Sequence, residues 1–368
     1  MNRKLAKLTA VTLAASMVLG SSVTGMAAST NQMSERESRN AQLSKEAAEE
    51  GMVLLENENK TLPVAEGTKV ALFGAGSYTT VKGGTGSGDV NQRYAVSIYD
   101  ALTSEYRISN LGWWNSYLKD LDAAKEKAFE EKADNDYVKY IPGQFGASPS
   151  CIAKDVAVSQ ADVDAAKANG TTTAIYTISR TSGEGADREI GKGDYELSDI
   201  ERNNIEMIAK AFDKCIIILN VGGVVDTKFY DEIEGLDAML LMSQAGMEGG
   251  NALADILTGR TAPSGKLSDT WAVNYTDYPA AEIIGNNDEN NSQENYEEGV
   301  YVGYRYFDTF NITPAYEFGY GMSYTDFEMT PVSVTADENI VSVTVNVKNV
   351  GEVYSGKEVV EVYFSAPD

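Results

Sequence analysis

Near-continuous apolar runs punctuate the middle of the chain, separated by amphipathic or polar stretches. Residues 69–74 (KVALFG), 172–178 (TTAIYTI), 214–221 (KCIIILNV) and 236–242 (LDAMLLM) each read as a short, fully buried strand. Helix-period spacing covers 40–57, where it closes in an apolar run, and then 94–106 and 199–212. Residues 119–132, rich in Ala, Glu and Lys, predict an exposed helix, and 108–112 fits a short strand. The segment AGMEGGNALADILTG (245–259) predicts a turn entering a helix that stops at Gly259. Strands alternating with helices, each strand apolar on both faces, predict an α/β fold: an open, mostly parallel sheet sandwiched by helices. Functional loops of such sheets leave the carboxyl ends of strands. Two Gly-rich polar loops, 74–93 and 179–195, occupy that position.

The tail has a different rhythm. From Asn295 the chain is dense in Tyr and Gly, and then 340–348 (IVSVTVNVK) and 358–364 (EVVEVYF) alternate with period two around Asn349-Val350-Gly351. Alternation of this kind predicts a β-sandwich. Only about three strands fit before Asp368, against the roughly seven of an immunoglobulin or fibronectin sandwich, so the expectation is an incomplete one. Residues 285–298, rich in Asn, Glu and Asp, read as a solvated loop.

Charge and composition narrow the chemistry. The 368 residues carry 30 Lys+Arg against 55 Asp+Glu, a net charge of −25, which repels phosphate backbones and anionic membranes. Nucleic acid is therefore not an expected partner. The chain has no histidine, which removes Ser-His-Asp and Cys-His nucleophile systems and HExxH zinc sites. Two cysteines, Cys151 and Cys215, are too few for a four-thiolate metal site. No metal or cofactor is expected, and acid–base work falls to carboxylates, Tyr, Lys or backbone groups.

Residues 1–28 begin with Arg3, Lys4 and Lys7, continue with an apolar stretch from Leu8 to Gly20, and end in small residues around Ala27. That is the layout of a secretory signal peptide. The apolar run falls short of the ~20 residues a membrane span needs, and no other stretch reaches that length. The expectation is a secreted or extracytoplasmic protein with no membrane span. There a Cys151–Cys215 disulfide is chemically allowed. Cys215 lies inside a buried strand pattern, however, and two unpaired structural cysteines are the favoured reading.

Gly74-Ala75-Gly76 after a strand invites a dinucleotide-binding reading, but the third glycine of that fingerprint is replaced by Thr79, and the P-loop pattern also fails. The cluster Gly83-Gly84-Thr85-Gly86-Ser87-Gly88-Asp89 reads better as a loop shaped for close approach to a ligand. Asp89, Asn91 and Arg93 follow at once with the acceptors and donors that sugar hydroxyls require. A flexible Gly/Ser linker is the plain alternative.

Five blocks in order carry a resemblance: EEGMVLLENENKTLPV (49–64), GGTGSGDVN (83–91), AGMEGGNALADILTGRTAPSGKLSDTW (245–271), EGVYVGYRYFD (298–308) and YEFGYGMSYTDFE (316–328). Together they resemble glycoside hydrolase family 3 over most of residues 45–364. In that family a (β/α) barrel carries an Asp nucleophile, an α/β sandwich domain supplies the acid/base carboxylate, and a fibronectin type III-like domain often follows. The resemblance implies a signal peptide (1–28), a linker (29–44), the α/β sandwich domain (45–325) and a truncated fibronectin type III-like domain (326–368). It also implies that the barrel is missing from these residues. The string Leu267-Ser268-Asp269-Thr270-Trp271 belongs to the sandwich domain's own motif, so the nucleophile is not carried onto Asp269.

The family's acid/base segment of Ser-Gly-Glu-Gly type corresponds to Ser182-Gly183-Glu184-Gly185, which makes Glu184 the expected catalytic residue. Such a group must be protonated when the glycosidic oxygen leaves, so burial and the nearby nucleophilic carboxylate should raise its pKa. Arg188 should then pair with Asp187 or Asp194 rather than with Glu184. Gly86, Ser87, Asp89, Arg93 and Arg188 are the expected substrate-binding residues. Glu298 is read as structural, within an aromatic seam of Tyr301, Tyr304 and Tyr306 with Arg305 stacked or paired, and Glu248 as favouring a helix N-terminus. The implied activity is part of a retaining β-glycosidase, a β-glucosidase above all, acting on an oligosaccharide or an aryl or alkyl β-glycoside. A non-catalytic secreted carbohydrate-binding or assembly module that lacks the barrel is the rival.

Overall fold

The computed structural model describes residues 32–84, 92–132, 155–182, 190–282, 296, 298–338 and 340–365. The chain divides into two units, Met1–Leu43 and Ser44–Asp368. In chain order the elements are α1 (Glu35–Gly51), β1 (Val53–Asn57), β2 (Lys69–Phe73), α2 (Ile98–Glu105), β3 (Arg107–Ile108), α3 (Leu111–Lys132) and α4 (Gln160–Lys167). They continue with β4 (Thr173–Arg180), α5 (Asp199–Ala211), β5 (Lys214–Val221), α6 (Phe229–Glu232), β6 (Ala238–Leu241) and α7 (Gly249–Thr258). The last are β7 (Trp271–Ala272), α8 (Tyr304–Phe310), β8 (Pro314–Tyr316), β9 (Phe327–Asp337) and β10 (Ile340–Asn349).

A six-stranded sheet in the order β1-β6-β5-β4-β2-β3 forms the spine. All its pairings are parallel except that of the edge strand β1 with β6. β4 and β5 pair along their whole length, from Thr173 opposite Lys214 to Arg180 opposite Val221, and the sheet core from Ile216 to Leu219 has no exposed surface. That burial on both faces is why these strands appear in the sequence as unbroken apolar runs. From β2 the chain crosses one way to β3, whereas β4, β5 and β6 advance the other way. Right-handed crossovers in opposite directions place helices on opposite faces. α2 packs on α7, and α4 on α5.

Local chemistry sets the helix ends. Ser34 and Glu37 form reciprocal hydrogen bonds, Ser34 N–H to Oε2 at 2.8 Å and Glu37 N–H to Ser34 Oγ at 3.3 Å, so α1 starts ahead of the apolar periodicity that begins at residue 40. Capping boxes also open α4 (Ser159 with Asp162) and α5 (Ser198 with Glu201). α7 ends on Gly259 in the left-handed conformation, at the predicted stop. Among the described residues no helix is long and apolar enough to cross a membrane.

β9 and β10 form an antiparallel hairpin with a register shift opposite Pro331, which has no N–H to give to a ladder. Residues 358–364, expected as a strand, are not one. A period-two pattern becomes a strand only where a neighbour offers ladder hydrogen bonds, and among the described residues none does. Of the hairpin's apolar side chains, Val332, Val334, Ile340 and Val341 are more than half exposed.

Candidate active site

The switch point of the sheet lies between β2 and β4, where successive connections leave in opposite directions, and ligand crevices of open α/β sheets form outside the carboxyl ends of such strands. The two Gly-rich loops singled out above follow β2 and β4. Their first described residues are therefore neighbours, Gly76 standing against Ser179, although about a hundred residues apart in the chain.

At the end of β2 the chain turns through Ala75–Ser77 in a single 3₁₀ turn. Gly74 has φ 89°, and a Cβ there would stand 2.3 Å from the carbonyl oxygen of Thr177 on β4. The glycine pair that mimics a dinucleotide fingerprint thus serves strand-to-strand packing. Ser77 Oγ donates to Phe73 O at 3.0 Å and lies 2.8 Å from Thr177 Oγ1, tying the two carboxyl ends together.

Asp155 closes the same edge. Its carboxylate accepts from Ala75 N–H at 2.7 Å and from the Tyr176 hydroxyl at 2.5 Å, and that hydroxyl accepts from Asn204 Nδ2 at 3.3 Å. Burial, reinforced by the negative charge of Glu201, pushes the Asp155 carboxyl up to about 6 despite those donors.

Arg180, the last residue of β4, is committed to structure. It pairs with Glu201 through Nη1–Oε1 at 2.6 Å and Nη2–Oε2 at 2.8 Å. Its remaining donors reach the carbonyls of Ser179 (2.8 Å), Asp194 (2.7 Å) and Glu196 (3.3 Å). The guanidinium therefore anchors the far end of the 179–195 loop and has no donor to spare for a substrate. Glu201 also accepts from Ser198 N–H at 2.8 Å, closing the cap of α5.

Beside these loops, at the ends of β5 and β6, a cleft of ≈ 280 Å³ is lined by Gly222, Gly223, Ser243, Gln244, Ser268, Asp269 and Trp271, among others. Gly222 is pressed between Ser182 and Gln244, where a Cβ would lie 2.7 Å from the Ser182 Cβ and 2.6 Å from Gln244 Nε2. Gln244 Nε2 reaches the Ser182 carbonyl at 3.4 Å, so the start of the expected acid/base segment adjoins the cleft. Asp269 is exposed as a residue, yet its carboxylate faces the Trp271 indole N–H at 3.4 Å and partial burial raises its pKa. It is the one carboxylate among the described residues that line the cleft.

Of the expected site residues, Arg93 is placed at the solvent-exposed exit of the loop after β2. Glu184, Gly86, Ser87, Asp89 and Arg188 lie outside the described residues, as do Asp187 and Cys151. Cys215 is free and fully buried, and burial raises its thiol pKa strongly. Glu248 sits at the N-cap of α7, as expected, but buried, holding Asn251 Nδ2 at 2.6 Å and the Tyr94 hydroxyl. The tyrosine seam exists as ring contacts of Tyr301 with Phe310 and of Tyr304 with Phe318, built on a helix rather than by alternation. Arg305, expected to be stacked or paired, is exposed and without a partner among the described residues. Among those residues no carboxylate or thiol cluster able to hold a metal is found.

Asn220 was not anticipated. A polar residue at the end of an apolar run, where the run should have stayed apolar, is the signal that marks it. Its amide joins the loops after β2, β4 and β6, as described below.

The sheet is doubly wound, and β2 and β4 stand side by side at its switch point, which places the chain in the class of open α/β domains. The chain matches the glycosyl hydrolase family 3 C-terminal domain over residues 52–304 and belongs to that family. It is 37% identical to beta-glucosidase A of Butyrivibrio fibrisolvens over 89% of this chain and 42% of that protein. Beta-glucosidase of Ruminococcus albus is likewise 37% identical, over 87% of this chain and 32% of the relative. The structure of beta-glucosidase 3B from Thermotoga neapolitana in complex with alpha-D-glucose superposes with a TM-score of 0.73 at 37% identity, covering 86% of this chain and 43% of that one. The chain thus spans about a third to two fifths of the length of these relatives.

Proposed function

We propose that this chain is the acid/base-bearing part of a secreted, retaining β-glucosidase that releases terminal β-D-glucosyl residues. The observation that supports this best is the 37% identity to beta-glucosidase A across 89% of the chain. In support, the loops that resemble the family's acid/base and sugar-contacting segments begin at adjacent strands of the switch point, where ligand crevices of open α/β sheets form. Retention needs two carboxylates about 5–5.5 Å apart, one attacking the anomeric carbon and one protonating the leaving oxygen. Glu184 takes the second role, first giving its proton to the departing glycosidic oxygen and then, ionised, accepting one from the water that breaks the glycosyl-enzyme bond. The Asp nucleophile belongs to a barrel outside these residues. Gly86, Ser87, Asp89, Arg93 and Arg188 bind the sugar, and residues 326–368 begin a fibronectin type III-like domain.

Hydrolysis of 4-nitrophenyl β-D-glucopyranoside tests this. The 368-residue chain alone should show negligible turnover, and the gene product that includes the barrel should be active, with Glu184→Gln lowering kcat by roughly 10²–10⁴. Robust turnover by the chain alone, abolished by Glu184→Gln, would place the nucleophile within it. A coding frame that encodes no barrel, with a product that binds glucosides but does not hydrolyse them, would favour the carbohydrate-binding module.

A further inference from the structure

The residues on either side of the 85–91 segment are tied to a single turn. Upstream, Val81 exchanges two hydrogen bonds with the side chain of Asn220: its N–H donates to Oδ1 at 2.7 Å and its carbonyl accepts from Nδ2 at 2.9 Å. The carbonyl of the next residue, Lys82, accepts from Gly246 N–H at 2.8 Å. Downstream, Val96 N–H donates to the Met247 carbonyl at 2.9 Å, and the Tyr94 hydroxyl donates to the carboxylate of Glu248. The second amide proton of Asn220 goes to the Ser243 carbonyl at 2.8 Å, and its Oδ1 also accepts from Ser179 Oγ on β4 at 3.1 Å. Residues 243–248 therefore hold both stems of the loop.

Three features mark this turn as built for rigidity. Asn220 is fully buried and every donor and acceptor of its amide is used, which makes the network stiff. Ser243, whose carbonyl it engages, has φ 57°, a left-handed conformation that a non-glycine residue keeps only when its surroundings enforce it. Glu248 is 6% exposed and presents its carboxylate to two donors, Tyr94 and Asn251.

We propose that Asn220 and Glu248 are positioning residues: a two-point clamp that fixes the points at which the Gly-rich loop leaves and rejoins the sheet edge, and so lowers the entropic cost of binding substrate there. The proposal rests on reading that loop as a substrate loop. A loop whose ends are pinned loses less conformational entropy on ligand binding, and small misplacements of binding groups are costly to turnover.

Hydrogen–deuterium exchange on the 368-residue chain reads the clamp directly. Asn220→Leu should accelerate exchange at the amides of residues 79–84 by about tenfold or more, while amides in the centres of β4 and β5 keep their protection. Tyr94→Phe should loosen residues 92–96 and leave the upstream stem in place. Asn220→Asp retains the acceptor contacts with Val81 N–H and Ser179 but loses both donors, so it should fall between wild type and Asn220→Leu. It also serves as the readable variant should the leucine protein not fold. Glu248→Gln, which can still accept from Tyr94, should fall between wild type and Tyr94→Phe. In the barrel-bearing protein the same order should appear in kcat/KM for the aryl glucoside, with Asn220→Leu and Tyr94→Phe lower by about 10–100-fold. Unchanged stem exchange in folded variants overturns the clamp, and so does loosened exchange with kcat and KM unaltered. Lack of turnover by the wild-type barrel-bearing protein overturns the glucosidase reading alone, because the exchange experiment does not depend on it.

Discussion

Asp155 offers a quantitative test of how the carboxyl edge of the sheet is held. Burial raises its pKa from 3.8 to about 6, so the folded chain binds this proton more tightly than the unfolded chain does. The sign follows by linkage: stability from this group is fully present below about pH 4 and is lost as pH rises through about 6. A difference of that size, at about 1.4 kcal/mol per pH unit, is about 3 kcal/mol. Asp155→Asn removes the proton-binding step and keeps an oxygen to accept from Ala75 N–H. The total pH profile is not diagnostic, because burial also raises Glu56 and Asp269. The difference between wild type and variant isolates the one group. Urea unfolding of both proteins from pH 4 to 7.5 should show wild type losing about 2.4 kcal/mol of that relative to Asp155→Asn, nearly all of it between pH 4 and 6.5, the remainder lying below pH 4. A difference that stays constant within about 0.5 kcal/mol across that range would refute the inward-facing, desolvated carboxyl.

Arg180→Met leaves Glu201 buried without its partner, and unfolding should record a loss of about 3–5 kcal/mol with protease sensitivity appearing first near residues 194–196. Gly74→Ala combines a positive φ with a Cβ against the Thr177 backbone, so its melting temperature should drop clearly, whereas Gly51→Ala, with nothing within 4 Å, should change little. The exposed apolar face of the β9–β10 hairpin should drive concentration-dependent association in sedimentation, and Val334→Lys with Val341→Lys should reduce it. Unaltered sedimentation of that double variant would show that the association uses another surface.

Much of this fold is legible in the residue pattern because burial on both faces writes a strand as an unbroken apolar run. β5 was predicted at Lys214–Val221 and is found there, and Gly259 ends its helix for a reason visible in one residue. α4 went unread because its eight residues carry little periodicity, although its capping box, Ser159 with Asp162, was available. β9 was missed because Pro331 interrupts the alternation and only the partner strand shows how the bulge accommodates it. The strand expected at 358–364 failed for the complementary reason: alternation states which face is apolar, not whether a neighbour exists.

The amino-acid sequence alone determined the class, the acidic histidine-free chemistry and the two loops worth watching, since each is a property of composition or of local spacing. What only the tertiary structure decided is which long-range pairs share an edge. Strand order makes the first residues of the loops after β2 and β4 neighbours, turns Arg180 inward to Glu201 and brings Asn220 to Val81, 139 positions away. Hydrogen bonds across such separations leave no periodic trace in the chain, because they depend on where the sheet places strand ends and not on what lies next to each residue.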